Sequence, residues 1–386
     1  MDFYQIDNAC LNLYTSHDQN KRMEVEKYLK MMFPTFNDSS TTATLNSNNN
    51  TSLSNSPFET IQQCHTVLEN TKSAYTQLFI INLLQELAIH WQIYTVEQKV
   101  TMRNFILMYL GNRCPFEQFI INSISKYFTL ITKLGWFDTD EFRDIVGDFS
   151  KYIESNPICR LTGLQVLAFF VTDMNLPSQM LKNISRNRKT VVNFRDSQLH
   201  QIFRISLSTL LNLIQGKNML TMDEQKLAET TLDLIKACLT FDFIGTNTDE
   251  SSEEIGSIQI PVSWRPTISD PLTLQTIFHT FELLNPPKSS KVLECVSVIV
   301  ATRRTLFSED ERIKFITAII NELIKILHLP QAFNDESNYH EFCRILSRFK
   351  TVYQLSDICK VDRYKEFINI VTDFTIKSLQ SPNVII

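Results

Sequence analysis

Apolar residues in this chain recur at helical spacing, and that pattern limits the fold more than any other feature. Ile120, Ile124, Tyr127, Ile131 and Leu134 fall on one helical face, as do Phe203, Leu207, Leu210 and Ile214. Three further stripes follow: Ile316, Ile319, Leu323 and Leu327; Tyr339, Phe342, Leu346, Phe349 and Tyr353; and Tyr364, Phe367, Val371 and Phe374. Each stripe has room for about three to five turns. Period-two alternation is scarce, and seven glycines in 386 residues are too few for the tight turns of a sheet protein. The chain reads as all-helical.

Helix starts and stops agree with the stripes. Ser56-Pro57-Phe58-Glu59 offers an N-cap, a proline at the first helical position and a glutamate at the third. Thr95 with Gln98, Thr221 with Glu224 and Ser308 with Glu311 have capping-box spacing. Gly111-Asn112, Asn156-Pro157, Gly216-Lys217 and Pro286-Pro287 read as breakers. A period of roughly 40 residues per helix pair suggests about eight or nine HEAT-type hairpins stacked as a solenoid. Two unrelated helical bundles fit the pattern too, because one core stops growing at roughly 250–300 residues.

A formal net charge of -5 argues against a phosphate backbone as the main partner, which would leave a basic footprint, and favours protein partners. The eight cysteines (Cys10, Cys64, Cys114, Cys159, Cys238, Cys295, Cys343 and Cys359) lie far apart with no CxxC pair, so they read as reduced core thiols, not as a disulfide framework or zinc site. No stretch of about 18 uncharged apolar residues occurs, and the N-terminus lacks a basic region followed by an apolar one, so neither membrane insertion nor secretion is expected.

Catalytic signatures are missing: no GxxxxGK[ST], GxGxxG after a strand, GxSxG or HExxH is present, so the chain does not read as an enzyme and no cofactor is expected. His340 and Cys343 share a helical face, but without a second pair of ligands they read as packing residues. Asp138, Asp140 and Glu141 after Trp136 read as a solvated turn. The basic stretch Lys182, Arg186, Arg188, Lys189 and Arg195 reads as a solvated face. Trp264 and Arg265 read as a loop end packed on the next helix. Ser251, with Glu254 three residues later, has the pattern of an acidic-directed phosphorylation site.

Four separated blocks carry a family resemblance: FDFIGTNTDESSEEIGSIQIPVSWR at 241–265, ITKLGWFD at 131–138, NFRDSQL at 193–199 and NYHEFCRIL at 338–346. In the same order they resemble the exportin-7 group of the importin-β superfamily, with similarity from about Ile6 to Gln380. The resemblance implies a right-handed α-solenoid of HEAT-type hairpins. It is organised as a first hairpin over 1–37, a Ran-binding region over 57–135 and further repeats over 136–386. One insertion, 38–56 (DSSTTATLNSNNNTSLSNS), is Ser/Thr/Asn-rich and reads as disordered, since it has little to bury against the entropy of ordering.

The resemblance also implies a nuclear transport receptor that binds RanGTP, protein cargo and Phe-Gly nucleoporins and shuttles between nucleus and cytoplasm. The tryptophan-containing segment Tyr75 to Tyr109 is similar to the family's Ran-binding region. Candidate Ran contacts, chosen by helix position, are Gln77, Lys99, Arg103, Lys126 and Lys133. The charged inter-repeat loops of the family touch Ran or cargo, which makes Asp249, Glu250, Glu253 and Glu254 in the loop 245–257 candidate partner contacts. Family members are several times longer, so a truncated paralogue, a split gene product or an excised piece is implied. A HEAT scaffold that has lost Ran-dependent transport is the alternative.

Overall fold

A computed structural model describes residues 2–34, 56–176, 184–244, 257–329 and 332–379. The insertion 38–56, Ser56 apart, and the acidic loop 245–257, Ser257 apart, lie outside the described residues, and with them Lys182, Asp249, Glu250, Ser251, Glu253 and Glu254. The described residues are helical and contain no strand beyond one isolated parallel bridge, Ile258 with Thr302. The chain divides into two units, 1–194 and 195–386.

The first unit runs α1 (Phe3–Thr15), α2 (Gln19–Met32), α3 (Pro57–Asn70), α4 (Ala74–Ala88), α5 (Val96–Arg113), α6 (Gln118–Gly135), α7 (Ile145–Ile153), α8 (Pro157–Asn175) and α9 (Ile184–Phe194). Helices α3/α4, α5/α6 and α7/α8 are successive hairpins; α1, α4, α6 and α8 pack in one row, and α3 packs on α5 in the other. The second unit opens with a π-helical turn, Arg195–Leu199. It continues with α10 (His200–Ile214), α11 (Met222–Leu239), α12 (Arg265–Ile268), α13 (Pro271–Leu283), α14 (Ser290–Val300), α15 (Glu309–Leu327), α16 (Glu336–Val352), α17 (Leu355–Ile358) and α18 (Tyr364–Leu379). Here α10, α13, α15 and α18 form one row and α11, α14 and α16 the other. Each unit is therefore a segment of α-solenoid, in which stacked hairpins bury what no single hairpin could.

The start signals act as their chemistry requires. Ser56 N–H donates to Glu59 at 2.9 Å, Thr95 N–H to Gln98 at 2.9 Å, Thr221 N–H to Glu224 at 2.9 Å and Ser308 N–H to Glu311 at 2.9 Å, each satisfying an amide at a helix start. Asn156 caps α8 with Pro157 in its first turn. Gly216 takes φ +69° between α10 and α11, a left-handed position that disfavours a side chain. Gly111 and Asn112 do not break the chain: α5 continues through both to Arg113, and Pro115 ends it instead.

The stripes face the cores. Ile120, Ile124, Tyr127 and Ile131 on α6 are fully buried, as are Ile316, Ile319 and Leu323 on α15. Trp264 is 2% exposed and packs the loop end, but not on the next helix as expected: it stacks on His200 and Phe203 of the earlier helix α10 at 4.8 and 5.1 Å. On α18 only Phe367 is buried.

One expectation is corrected. Cys114 and Cys159 form a disulfide, with Cα atoms 5.7 Å apart. They are 45 residues apart in sequence, and only the packing of the end of α5 beside the first turn of α8 brings them together. The other six cysteines are free, and burial pushes the Cys10 thiol up to about 12 and those of Cys64, Cys238 and Cys295 higher still. Ile319→Ala on α15 should destabilise the protein by about 2–5 kcal/mol, while Ile376→Ala on the exposed part of α18 should change it by less than about 0.5 kcal/mol. Urea midpoints read by circular dichroism check this.

Candidate functional site

The row α1, α4, α6 and α8 presents a surface opposite its buried stripes. At one end aromatic rings step across three helices: Tyr14 stacks on Tyr75 at 5.8 Å, and Tyr75 on Phe119 at 6.4 Å. Tyr14 and Phe119 are each 40% exposed. Beyond them comes a run of amides. The Gln85 side-chain N–H donates to the Ser123 hydroxyl at 3.2 Å, Ser123 donates to the Asn82 carbonyl at 2.7 Å, and Gln165 on α8 donates to Gln118 on α6 at 3.1 Å. This face carries little charge and many donors and acceptors, which suits a polar protein surface.

Lys126 belongs to this face by its spacing from Asn122 and Ser123, and it is exposed. Gln77 is half-buried and falls on the α4 face of Ile81 and Leu84, away from Asn82. The other three candidates are engaged in bonds inside the fold. Lys133 is 3% exposed and donates to the Asp173 carbonyl and carboxylate at 2.6 and 3.0 Å. Burial lowers its pKa and Asp173 draws it back up. Arg103 is 4% exposed, pairs with Asp148 and lies over the Phe142 ring at 5.8 Å. Burial pushes the Asp148 carboxyl up to about 7 against the pull of Arg103. The structure thus leaves Lys126 open and spends Lys99, Arg103 and Lys133 inside the fold.

Lys99 meets Asp138, and here the expected solvated turn is corrected. Asp140 and Glu141 are exposed, but the Asp138 carboxylate is a junction between repeats. Its Oδ2 accepts from Trp91 Nε1 at 2.8 Å and Lys99 Nζ at 2.9 Å, and its Oδ1 accepts from Arg186 at 3.0 Å. Lys99 also lies over the Trp91 ring at 5.4 Å. The reading of a solvated basic face is corrected for Arg195, which is half-buried and donates to the Phe243 carbonyl at 2.9 Å; Arg186, Arg188 and Lys189 are exposed. Sequence separation hid these pairs, because nothing in a single charged residue tells which repeat it will reach.

In the second unit a hollow of about 350 Å³ opens between α13 and α15, lined by Leu274, Ile313 and Ala318 with Lys314, Asn321 and Glu322 at its edge. Among the described residues no three His, Cys, Asp or Glu side chains converge as metal ligands, and no helix is long and apolar enough to cross a membrane.

Stacked helical hairpins with an amide-rich face, crossed by ion pairs between successive repeats, define a helical-repeat protein of the HEAT class. Comparison with known proteins narrows the class. The chain is 34% identical over 383 residues to Exportin-7-B of Xenopus laevis, covering 97% of this chain and 33% of that protein. It is 32% identical over 381 residues to Ran-binding protein 17 of Homo sapiens, with 97% and 33% covered, and 32% identical over 388 residues to Ran-binding protein 16 of Drosophila melanogaster, with 98% and 33% covered. No family model matches. The chain belongs to the exportin-7 group of the importin-β superfamily, and it spans about a third of the length of these relatives.

The Asp138 junction is testable. Burial raises its carboxyl pKa, but bonds from Lys99, Trp91 and Arg186 outweigh this and hold it below the usual value. A depressed acid stabilises the fold above its unfolded pKa, about 4, and that contribution is lost as pH falls through the lower folded value. Asp138→Asn should therefore cost about 1–3 kcal/mol at pH 7, because Lys99 keeps its charge without a counterion. The difference from wild type should shrink as pH falls below about 4, measured by urea titration at each pH.

Proposed function

We propose that this chain is the Ran-binding portion of a nuclear transport receptor, and that RanGTP docks on the α1, α4, α6 and α8 face. The observation that carries the reading is the exposed, weakly charged face of aromatic steps and amides, in a chain similar over nearly its whole length to proteins named for exportin activity and Ran binding. Lys126 contacts Ran, while Lys99, Arg103 and Lys133 act by holding the spacing of the helices that present the face, and Gln77, which lies on the α4 side away from Asn82, supports it from behind. The acidic residues Asp249, Glu250, Glu253 and Glu254 meet cargo or Ran from their loop. Phe-Gly nucleoporins are taken up by the hollow between α13 and α15, whose apolar floor fits a phenyl ring. The protein shuttles between nucleus and cytoplasm. It supplies surface, and GTP hydrolysis belongs to Ran. Linkage between the Ran and cargo sites amounts to about 1–3 kcal/mol.

The internal use of Lys99, Arg103 and Lys133 favours a second reading, a HEAT scaffold that joins proteins without Ran. Binding to Ran loaded with a non-hydrolysable GTP analogue, against Ran loaded with GDP, separates the two. Under the transport reading the GTP form is preferred, and Lys126→Glu with Phe119→Ala weakens it by about tenfold or more while the helical circular dichroism is unchanged. No binding to either form by folded protein selects the scaffold. Ala318→Glu should abolish retention on immobilised Phe-Gly peptide and leave Ran binding intact.

A further inference from the structure

Among the described residues of the second unit, partly or fully buried cations meet acids: Lys236 pairs with Glu294, Lys291 with Asp233 and Arg312 with Asp357. Arg303 and Arg304 differ: they stand side by side at a hollow of about 410 Å³ whose other polar lining is Ser257, Gln259, Thr305 and Thr351. Among the described residues no carboxylate lines it.

The backbone builds this hollow rigidly. Ile258 N–H donates to the Ala301 carbonyl at 2.7 Å, and Arg303 N–H donates to the Ile258 carbonyl at 3.1 Å, so 257–260 is tied to the end of α14. The Arg303 guanidinium is fixed in turn, donating to the Gln259 side-chain carbonyl at 3.0 Å and to the Ile260 carbonyl at 3.4 Å. Its Nε–H is buried, with no acceptor among the described residues. Arg304 is half-exposed, and no hydrogen bond or ion pair joins its side chain to a described residue. Two arginines lining one hollow, one held by hydrogen bonds and one with no described partner, with hydroxyl and amide groups around them, suit a tetrahedral dianion that accepts bidentate N–H bonds.

We infer that the Arg303–Arg304 hollow is a binding site for a phosphoserine or phosphothreonine side chain on a protein segment. The hollow is larger than a phosphate and so has room for residues flanking it. A nucleic-acid backbone fits less well, since it is read by a stripe of cations on a basic protein and this chain carries a net charge of -5. Recognition of phosphorylated segments by paired arginines needs no other machinery.

The test uses the full chain and a fluorescent peptide with one phosphoserine between glutamates, its unphosphorylated twin and a single-stranded RNA oligomer. The phosphopeptide should bind about tenfold or more tightly than its twin and than the RNA, and inorganic phosphate should compete. Arg304→Ala should lose about tenfold, Arg304→Glu more, and Arg304→Lys an intermediate amount, because charge without the fork is half the interaction. Arg304 is a surface residue, so circular dichroism melts should not move. Equal binding of phosphorylated and plain peptide, tighter binding of RNA, or indifference to Arg304→Glu overturns the site. The phosphoryl group has two sources, a partner protein or Ser251 of this chain, six residues before Ser257. If phosphorylation of the protein blocks peptide binding in wild type but not in Ser251→Ala, the group is the chain's own. If phosphorylation at Ser251 leaves binding unchanged, the group comes from a partner.

Discussion

A two-helix hairpin has one apolar stripe too many for its own interior, so each repeat here is stable only through its neighbour. Hydrophobic burial supplies most of that stabilisation, but it is non-directional and tolerates a slipped repeat. Register comes from polar bonds that reach from one repeat to the next. In the first unit Arg103 reaches Asp148 and Lys133 reaches the carbonyl and carboxylate of Asp173, at sequence separations of 45 and 40. In the second unit Arg312 reaches Asp357 at 45, and Lys236 and Lys291 reach Glu294 and Asp233 at 58. Burying an ion costs free energy that only a well-placed partner offsets, so such a pair forms at one register and penalises the others.

That arrangement decides what is left for partners. Cations that close repeats cannot also grip a ligand, and the surface that remains on α1, α4, α6 and α8 is amide and aromatic. A face of this kind recognises by shape and hydrogen bonds, with little long-range attraction. The hollow of Arg303 and Arg304 has the opposite character: among the described residues no carboxylate lines a pocket tied down by backbone bonds. A guanidinium held without its acid is poised to take one from elsewhere.

Much of the fold was legible because its determinants are local. Helical spacing marked Ile120, Ile124, Tyr127 and Ile131 as core, and the capping pairs Thr95/Gln98, Thr221/Glu224 and Ser308/Glu311 marked helix starts, since both depend on residues within a turn or two of one another. The candidate site was less legible. Helix position singled out Lys99, Arg103 and Lys133 as surface cations, and the turn at Asp138 looked solvated. Each of those readings lacked the partner helix that arrives about 40 residues later.

The sequence alone therefore determined the all-helical class, the places where most helices begin and the side of each that is buried, because periodicity and capping are encoded within a single helix. Tertiary structure decided the rest. It chose which acid meets which base, joined Cys114 to Cys159, lined up Tyr14, Tyr75 and Phe119 across three helices, and left Arg304 without an acid among the described residues. Those outcomes depend on where one repeat sits against the next, a distance in space that spacing along the chain does not specify.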